Sequence, residues 1–194
     1  LADLVARLMP DEPEVIGLQV LLILHAARAT ARMNPDGVLI PMEEQDRLLW
    51  DRDMIGNGLR LLVQARHRDR PGPYQLQAMI AGCHVIAARA EETDWARIVI
   101  LYDALLAVAP SPTVRLNRIV AISMRDGPGV GLAMLAEATP DTLPDDHLLP
   151  ATRADLLRRL GRSSEAETQY RKAIRLTSNG GERSYLRRRL SELT

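Results

Sequence analysis

The stretch Leu160–Ile174, LGRSSEAETQYRKAI, decides how the whole chain is read. Small residues Gly161, Ala166 and Ala173, with Tyr170 between them, fall at intervals that a solitary amphipathic helix does not require. Small side chains are needed where two helices approach closely, and glycine where one helix stops and the next begins. The intervals therefore belong either to one helix or to a unit that recurs.

Setting His147 as the first position of a unit places Ala154, Gly161, Ala166, Tyr170 and Ala173 at positions 8, 15, 20, 24 and 27. This pattern resembles the tetratricopeptide repeat, a helix-turn-helix unit of about 34 residues. One step back in the same register lie Val120, Gly127, Leu132, Ala136 and Thr139, with Pro144 at position 32. A further step gives Ile86, Thr93, Ile98, Tyr102 and Leu105, with Pro110 at position 32. Both prolines are expected to end a second helix, and Gly127 and Gly161 to sit at inter-helix turns. The match weakens backwards along the chain, with Thr139 a poor fit.

The composition agrees with helix. The chain is 46% hydrophobic but only 3% aromatic and has no Phe, so Leu, Ala, Val and Ile must fill the core. Strands prefer aromatic and β-branched residues instead. Breaks at Pro10, Asn34-Pro35-Asp36-Gly37 and Arg70-Pro71-Gly72-Pro73 divide the chain. Helices are predicted over about 1–9, 12–32 and 43–67, the last open to a break at Trp50-Asp51 or Gly56-Asn57-Gly58. Further helices are predicted near 73–90, 94–108, 112–125, 128–138, 145–160, 163–177 and 181–193. The expectation is an all-α, right-handed superhelix of antiparallel helix pairs. Residues 1–72 form its N-terminal helical part, 73–181 three repeat-like pairs, and 182–194 a capping helix. In that cap Leu186, Leu190 and Leu193 face inward, and Arg187-Arg188-Arg189 are mostly exposed.

Charge and cysteine content narrow the function. From Arg153 onward there are eleven Arg and Lys against five acids, while the rest has fourteen against twenty, so +6 and −6 cancel. The basic end suits a face for nucleic acid, an acidic partner or an ordinary solvated surface. A single cysteine, Cys83, excludes an internal disulfide framework and fits a reducing cytoplasm. The apolar run from Val15 to Ala27, broken by Gln19 and His25, is shorter than the roughly 18–20 residues that cross a bilayer. The opening Leu1-Ala2-Asp3 carries neither a secretory leader nor an initiating Met, so a piece of a longer cytoplasmic protein is expected.

Catalytic patterns are weak. His25, His67, His84 and His147 are scattered, without HExxH or zinc spacing. Cys83 and His84 are neighbours whose side chains diverge by about 100° on a helix, a poor arrangement for a nucleophile and its base. Glu43-Glu44 are acids at a helix start, where acids are expected anyway. Gly127-Pro128-Gly129-Val130-Gly131 lacks the strand and the Lys-Ser/Thr of a phosphate loop. No enzymatic activity, metal or cofactor is expected.

Two polar constellations stand out. Asp46, Arg47, Trp50 and Asp51 share a helical face if that helix is continuous, and Tyr74, Gln77, Ala81 and His84 form a second stripe. Each reads either as a recognition surface or as structure: an Arg47–Asp51 pair, a core histidine at His84, and anchors at Trp50 and Tyr74. The repeat resemblance implies a concave groove lined by Asn117, Arg125, Asp155, Arg158 and Arg159. Asn117-Arg118 also interrupts the apolar run Val114–Ile122 and needs partners, either in the groove or within the stack.

Six segments carry a more specific likeness: LMPDEPEVIGL, EEQDRLLWDRDMI, RPGPYQLQAMIAGCH, TDWARIVILYDALL, APSPTVRLNRIVAI and LLPATRADLLRRLGR. In this order they resemble the C-terminal extension of one group of extracytoplasmic-function (ECF) sigma factors, over essentially Leu1 to Leu193. The resemblance implies a regulatory, protein-interacting domain that serves transcription initiation. Its implied partners are the sigma domains of the same full-length protein and RNA polymerase, or a separate small YCII-like protein. No recognition helix or promoter-melting region is present in the sequence, so no direct DNA binding is expected of this chain. A small-molecule sensor near Tyr74, Gln77 and His84 is the remaining alternative.

Overall fold

In the computed structural model, which describes residues 8–9, 12–35, 37–66 and 71–193, the breaks delimit nine α-helices and no strand among those residues. Most of the segment LADLVARLM lies outside the described residues, as do Pro10, Asp11, Asp36, His67 and Arg70. The described residues divide into two compact units. One comprises those within Leu1–Met33 and Ile40–Ala109, the other those within Asn34–Leu39 and Pro110–Thr194.

The first unit holds α1 (Pro13–Ala26), α2 (Arg52–Arg66), α3 (Pro73–Ile86) and α4 (Trp95–Val108). Helix α1 packs on both α2 and α3, and α3 continues onto α4. A Cβ on Gly17 would lie 2.6 Å from the Gln75 backbone nitrogen, so glycine lets α1 and α3 meet almost backbone to backbone. Both helices begin at that contact, which makes them parallel with α2 running back between their ends. Val20, Leu24, Trp50, Ile55, Leu62, Ala78 and Val85 form the core beneath them. A fully buried leucine such as Leu24 contributes about 1.5–3 kcal/mol there.

The second unit holds α5 (Pro112–Asp126), α6 (Pro128–Glu137), α7 (Leu148–Arg159), α8 (Ser163–Leu176) and α9 (Gly180–Ser191). Local chemistry sets the boundaries. Ser111 Oγ accepts from the Val114 N–H to start α5, and Asn179 Oδ1 accepts from the N–H groups of Gly181 and Glu182 to start α9. Helix α7 ends in a Schellman motif: Gly161, at φ +72°, donates to the Arg158 carbonyl, and Arg162 donates to that of Leu157. The residues of the opening stretch pack as expected, with Ala154, Ala166, Tyr170 and Ala173 fully buried around Leu157 and Leu186.

Several expectations are corrected. The predicted 43–67 helix breaks at Trp50-Asp51, one of the two places left open; before the break it is two short 3₁₀ turns, Met42–Glu44 and Arg47–Leu49, and after it α2 runs from Arg52. Helix α1 stops at Ala26 and α3 at Ile86, each shorter than predicted. In the two earlier repeat steps Ile86, Ala136 and Thr139 are exposed, whereas Val85, Gly131 and Leu135 are buried. The register slips because a Cβ on Gly131 would lie 2.5 Å from Ser123 Cβ, which fixes the closest approach of α5 and α6 one residue earlier. Pro144 ends no helix, since α6 stops at Glu137. In α9 Arg189 is buried rather than exposed; its guanidinium reaches the Tyr185 hydroxyl at 3.2 Å and Glu192 at 2.9 Å.

Candidate functional site

The first constellation does not share a helical face. Asp46 and Asp51 are exposed caps, accepting from the N–H groups of Leu48 (2.9 Å) and Met54 (2.8 Å). Trp50 is buried in the core. Arg47 does not pair with Asp51; its guanidinium turns inward and donates from Nη1 to the carbonyls of His84 (2.8 Å) and Ala87 (2.6 Å). These carbonyls lie at the C-terminal end of α3, where a cation meets the unsatisfied acceptors and the negative end of the helix dipole. The same guanidinium lies 4.6 Å from the Trp50 ring centroid, and that of Arg28 lies 5.8 Å away. Burial pulls Arg47 below its ordinary pKa, with the charge of Arg52 adding and those of Glu91 and Glu92 opposing.

The second constellation is spread over α3. The Tyr74 ring is exposed, Gln77 Nε2 donates back to the Pro73 carbonyl at 3.2 Å, and the His84 ring meets Trp95 edge-on at 5.2 Å. Burial, then the charges of Arg28 and Arg47, push His84 down to about 4. It is neutral at pH 7. So the structure joins Arg47, Trp50 and His84 in one cluster, and leaves Asp46, Asp51, Tyr74 and Gln77 out of it.

In the second unit, α5 and α7 run side by side in the same sense, with Arg159 at the end of α7 reaching Met124 Sδ (3.2 Å) and the Ser123 carbonyl (3.5 Å) of α5. Arg158 pairs with Asp155 at 2.6 Å. Burial opposes the charge of Arg158, but Asp155 and the Tyr170 hydroxyl together outweigh it and raise the pKa above its ordinary value. Arg125 forks onto Asp126, Asn117 is exposed, and Arg118 is half-buried. Along the basic end, Arg158, Arg162, Arg171, Arg188 and Arg189 have carboxylate partners, the last two sharing Glu192, so part of the positive charge is locally paired and the net excess remains.

Sequence reasoning missed a pocket of about 320 Å³ in the first unit, walled by Leu59, Leu62, Met79, Gly82, Cys83 and Ile86. Glu92, Asp94 and Arg97 stand at its rim. Met79, Cys83 and Ile86 recur at helical spacing on α3, a signal that reads as plain core. The pocket opens on a different face of α3 from Tyr74, Gln77 and His84. Among the described residues no group of three His, Cys, Asp or Glu could hold a metal ion, and no helix is long and apolar enough to cross a membrane.

Among the described residues, the fold and these sites define an all-helical arrangement of antiparallel helix pairs, with polar rows on some helices and an apolar pocket. Residues 1–66 match the model of a family described as a family of unknown function (DUF6596). Over 193 residues the chain is 45% identical to an uncharacterized protein of Rhizobium meliloti (strain 1021). The match covers 100% of this chain and 45% of that protein, so the chain spans less than half the length of this curated relative. No solved structure matches the chain.

Proposed function

We propose that the chain is the C-terminal regulatory and protein-interaction domain of an ECF-type sigma factor, acting in transcription initiation within a longer cytoplasmic protein. In this reading it docks onto the sigma domains of that protein or onto RNA polymerase, and catalyses nothing itself. The α5–α6 and α7–α8 pairs act as tetratricopeptide-like units with a right-handed superhelical step between them. The observation that carries the reading is the row of polar side chains on α5 and α7. Asn117 is exposed, and Asp155 and Arg158 are half-buried on a neighbouring helix that runs the same way. Stacked helix pairs use rows of this kind to hold extended segments of other proteins. The Rhizobium relative supports the reading in length, since more than half of it lies outside the match.

The test uses the full-length protein that carries this domain. Deleting the domain should change run-off transcription by RNA polymerase. Photo-cross-linkers at Asn117 and Arg158 should capture the sigma domains or polymerase, and Asn117→Ala with Arg158→Ala should reproduce the deletion in part. Unaltered transcription with no cross-link to either overturns the proposal. Capture of a separate small protein, with transcription unaltered, replaces it with the scaffold reading.

A further inference from the structure

The pocket between α2 and α3 exists because these helices meet over a shorter stretch than either meets α1. Gly82 then leaves the floor open: a Cβ there would sit 3.6 and 3.7 Å from the Leu59 and Leu62 methyls, ordinary contact distances with no clash. Val63 and Ile86, both exposed by more than half, stand at the mouth. An apolar cavity of about 150 Å³ holds one benzene ring. The roughly 320 Å³ here therefore matches a two-ring aromatic or a branched alkyl group of similar size.

The rim decides the polarity of the occupant. Glu92 Oε1 is taken by Arg89 at 2.6 Å, and Asp94 Oδ1 accepts from the Arg97 N–H at 2.9 Å. The guanidinium of Arg97 lies beside the Cys83 thiol and forms no ion pair with a carboxylate of the described residues. An arginine side chain has five N–H donors in a fork that matches a carboxylate. Apolar walls with one such donor group at the mouth are the usual form of a small-molecule site.

We propose that this pocket binds a small apolar carboxylate, about the size of a two-ring aromatic acid, with its hydrocarbon body between α2 and α3 and its carboxylate on Arg97. The site stands independently of the role proposed in transcription.

Cys83, the single cysteine of the chain, lines the pocket and serves as a built-in reporter. Burial pushes its thiol above the ordinary pKa, so alkylation by N-ethylmaleimide is slow and sensitive to what covers it. The probe is 2-naphthoate, with 2-naphthalenemethanol and 2-naphthylmethylamine as neutral and cationic counterparts, each also titrated by calorimetry. At about five times its Kd, 2-naphthoate should slow labelling about sixfold, since only the unoccupied fraction reacts. The alcohol should bind at least about tenfold more weakly and the amine more weakly still. In Arg97→Gln, an exposed substitution that leaves the walls intact, the acid should lose its advantage over the alcohol. Absence of both protection and binding heat up to about 10 mM probe removes the site. Equal binding of acid, alcohol and amine overturns the assignment of the carboxylate to Arg97. Protection that persists unchanged in Arg97→Gln does the same.

Discussion

Arg47 donates a hydrogen bond of 2.6 Å to the carbonyl of Ala87, one residue beyond the end of α3, and so ties the loop before α2 to the end of a helix far along the chain. A second bond from the same nitrogen goes to His84, and the guanidinium rests on buried Trp50. Hydrogen bonds to a charged group are worth about 1.5–3 kcal/mol each, offset by the cost of burying the charge. Arg47→Ala is therefore expected to destabilise the protein by about 2–3 kcal/mol, and Arg47→Lys, with one compact donor, by less. Urea unfolding followed by circular dichroism measures both. A loss under about 1 kcal/mol for the alanine variant would show that the two bonds are replaced by water.

Glu14 of α1 caps the start of α3. Its carboxylate oxygens accept from the Tyr74 N–H at 2.8 Å and the Gln75 N–H at 3.2 Å. Gly72 makes room for this, since a Cβ there would collide with the carboxylate. Loss of a capping acceptor costs about 1–2 kcal/mol, and the negative charge adds a few tenths at the positive end of the helix. Glu14→Ala should lose about that much. Glu14→Gln keeps an acceptor and should lose about half. Equal stability of all three proteins would show that these N–H groups are satisfied otherwise.

Two glycines should respond to alanine in opposite directions. At Gly17 the new methyl group would sit 2.6 Å from backbone nitrogen, where nothing can give without separating α1 from α3. Overpacking of this kind costs about 1–3 kcal/mol. At Gly56, within α2, the nearest foreign atom is the flexible end of Arg60 at 3.8 Å, so Gly56→Ala should stabilise by about 0.5–1 kcal/mol. Thermal melting distinguishes the two signs directly, and a stabilised Gly17→Ala would mean that the helices do not meet there.

Helices α4 to α9 were legible in the sequence because several of their boundaries are set by near neighbours. Asp94, Ser111 and Asn179 cap the N–H groups that follow them, and Gly161 closes α7 in a conformation that favours glycine. The buried Ala154, Ala166, Tyr170 and Ala173 were legible as spacing alone. The segment from Pro41 to Asp51 was not, because what shapes it is remote: the acceptors of Arg47 are 37 and 40 residues away. Helical spacing put Asp46, Arg47, Trp50 and Asp51 together, and those distant carbonyls turned Arg47 inward with Trp50, away from Asp46 and Asp51. The slip at Ala136 arose the same way, from the contact of Gly131 with Ser123 across two helices. The pocket's one periodic trace, Met79, Cys83 and Ile86 on α3, reads as core, and its floor is the missing side chain of Gly82.

His84 makes stability depend on pH in a defined window. Unfolded, it titrates near 6.5; folded, burial and the charges of Arg28 and Arg47 hold it at about 4. Between those values the unfolded chain binds more protons, so stability rises with pH across the window. The contribution is complete above pH 6.5, falls as pH drops toward 4, and is constant below. The gap bounds it at about 3 kcal/mol, reduced in practice because the ring is only partly buried. Burial and the charges of Arg28 and Arg32 lower His25 as well, so the slope of the parent protein alone would mix the two. The difference between parent and His84→Gln isolates one of them, because His25 and the carboxylates titrate in both. Toward acid pH the stability of the parent should fall more steeply than that of His84→Gln, so urea midpoints from pH 7 to 4 should shift in the variant's favour as pH drops. Parallel curves throughout would mean that His84 takes up its proton in the folded state as readily as in the unfolded chain.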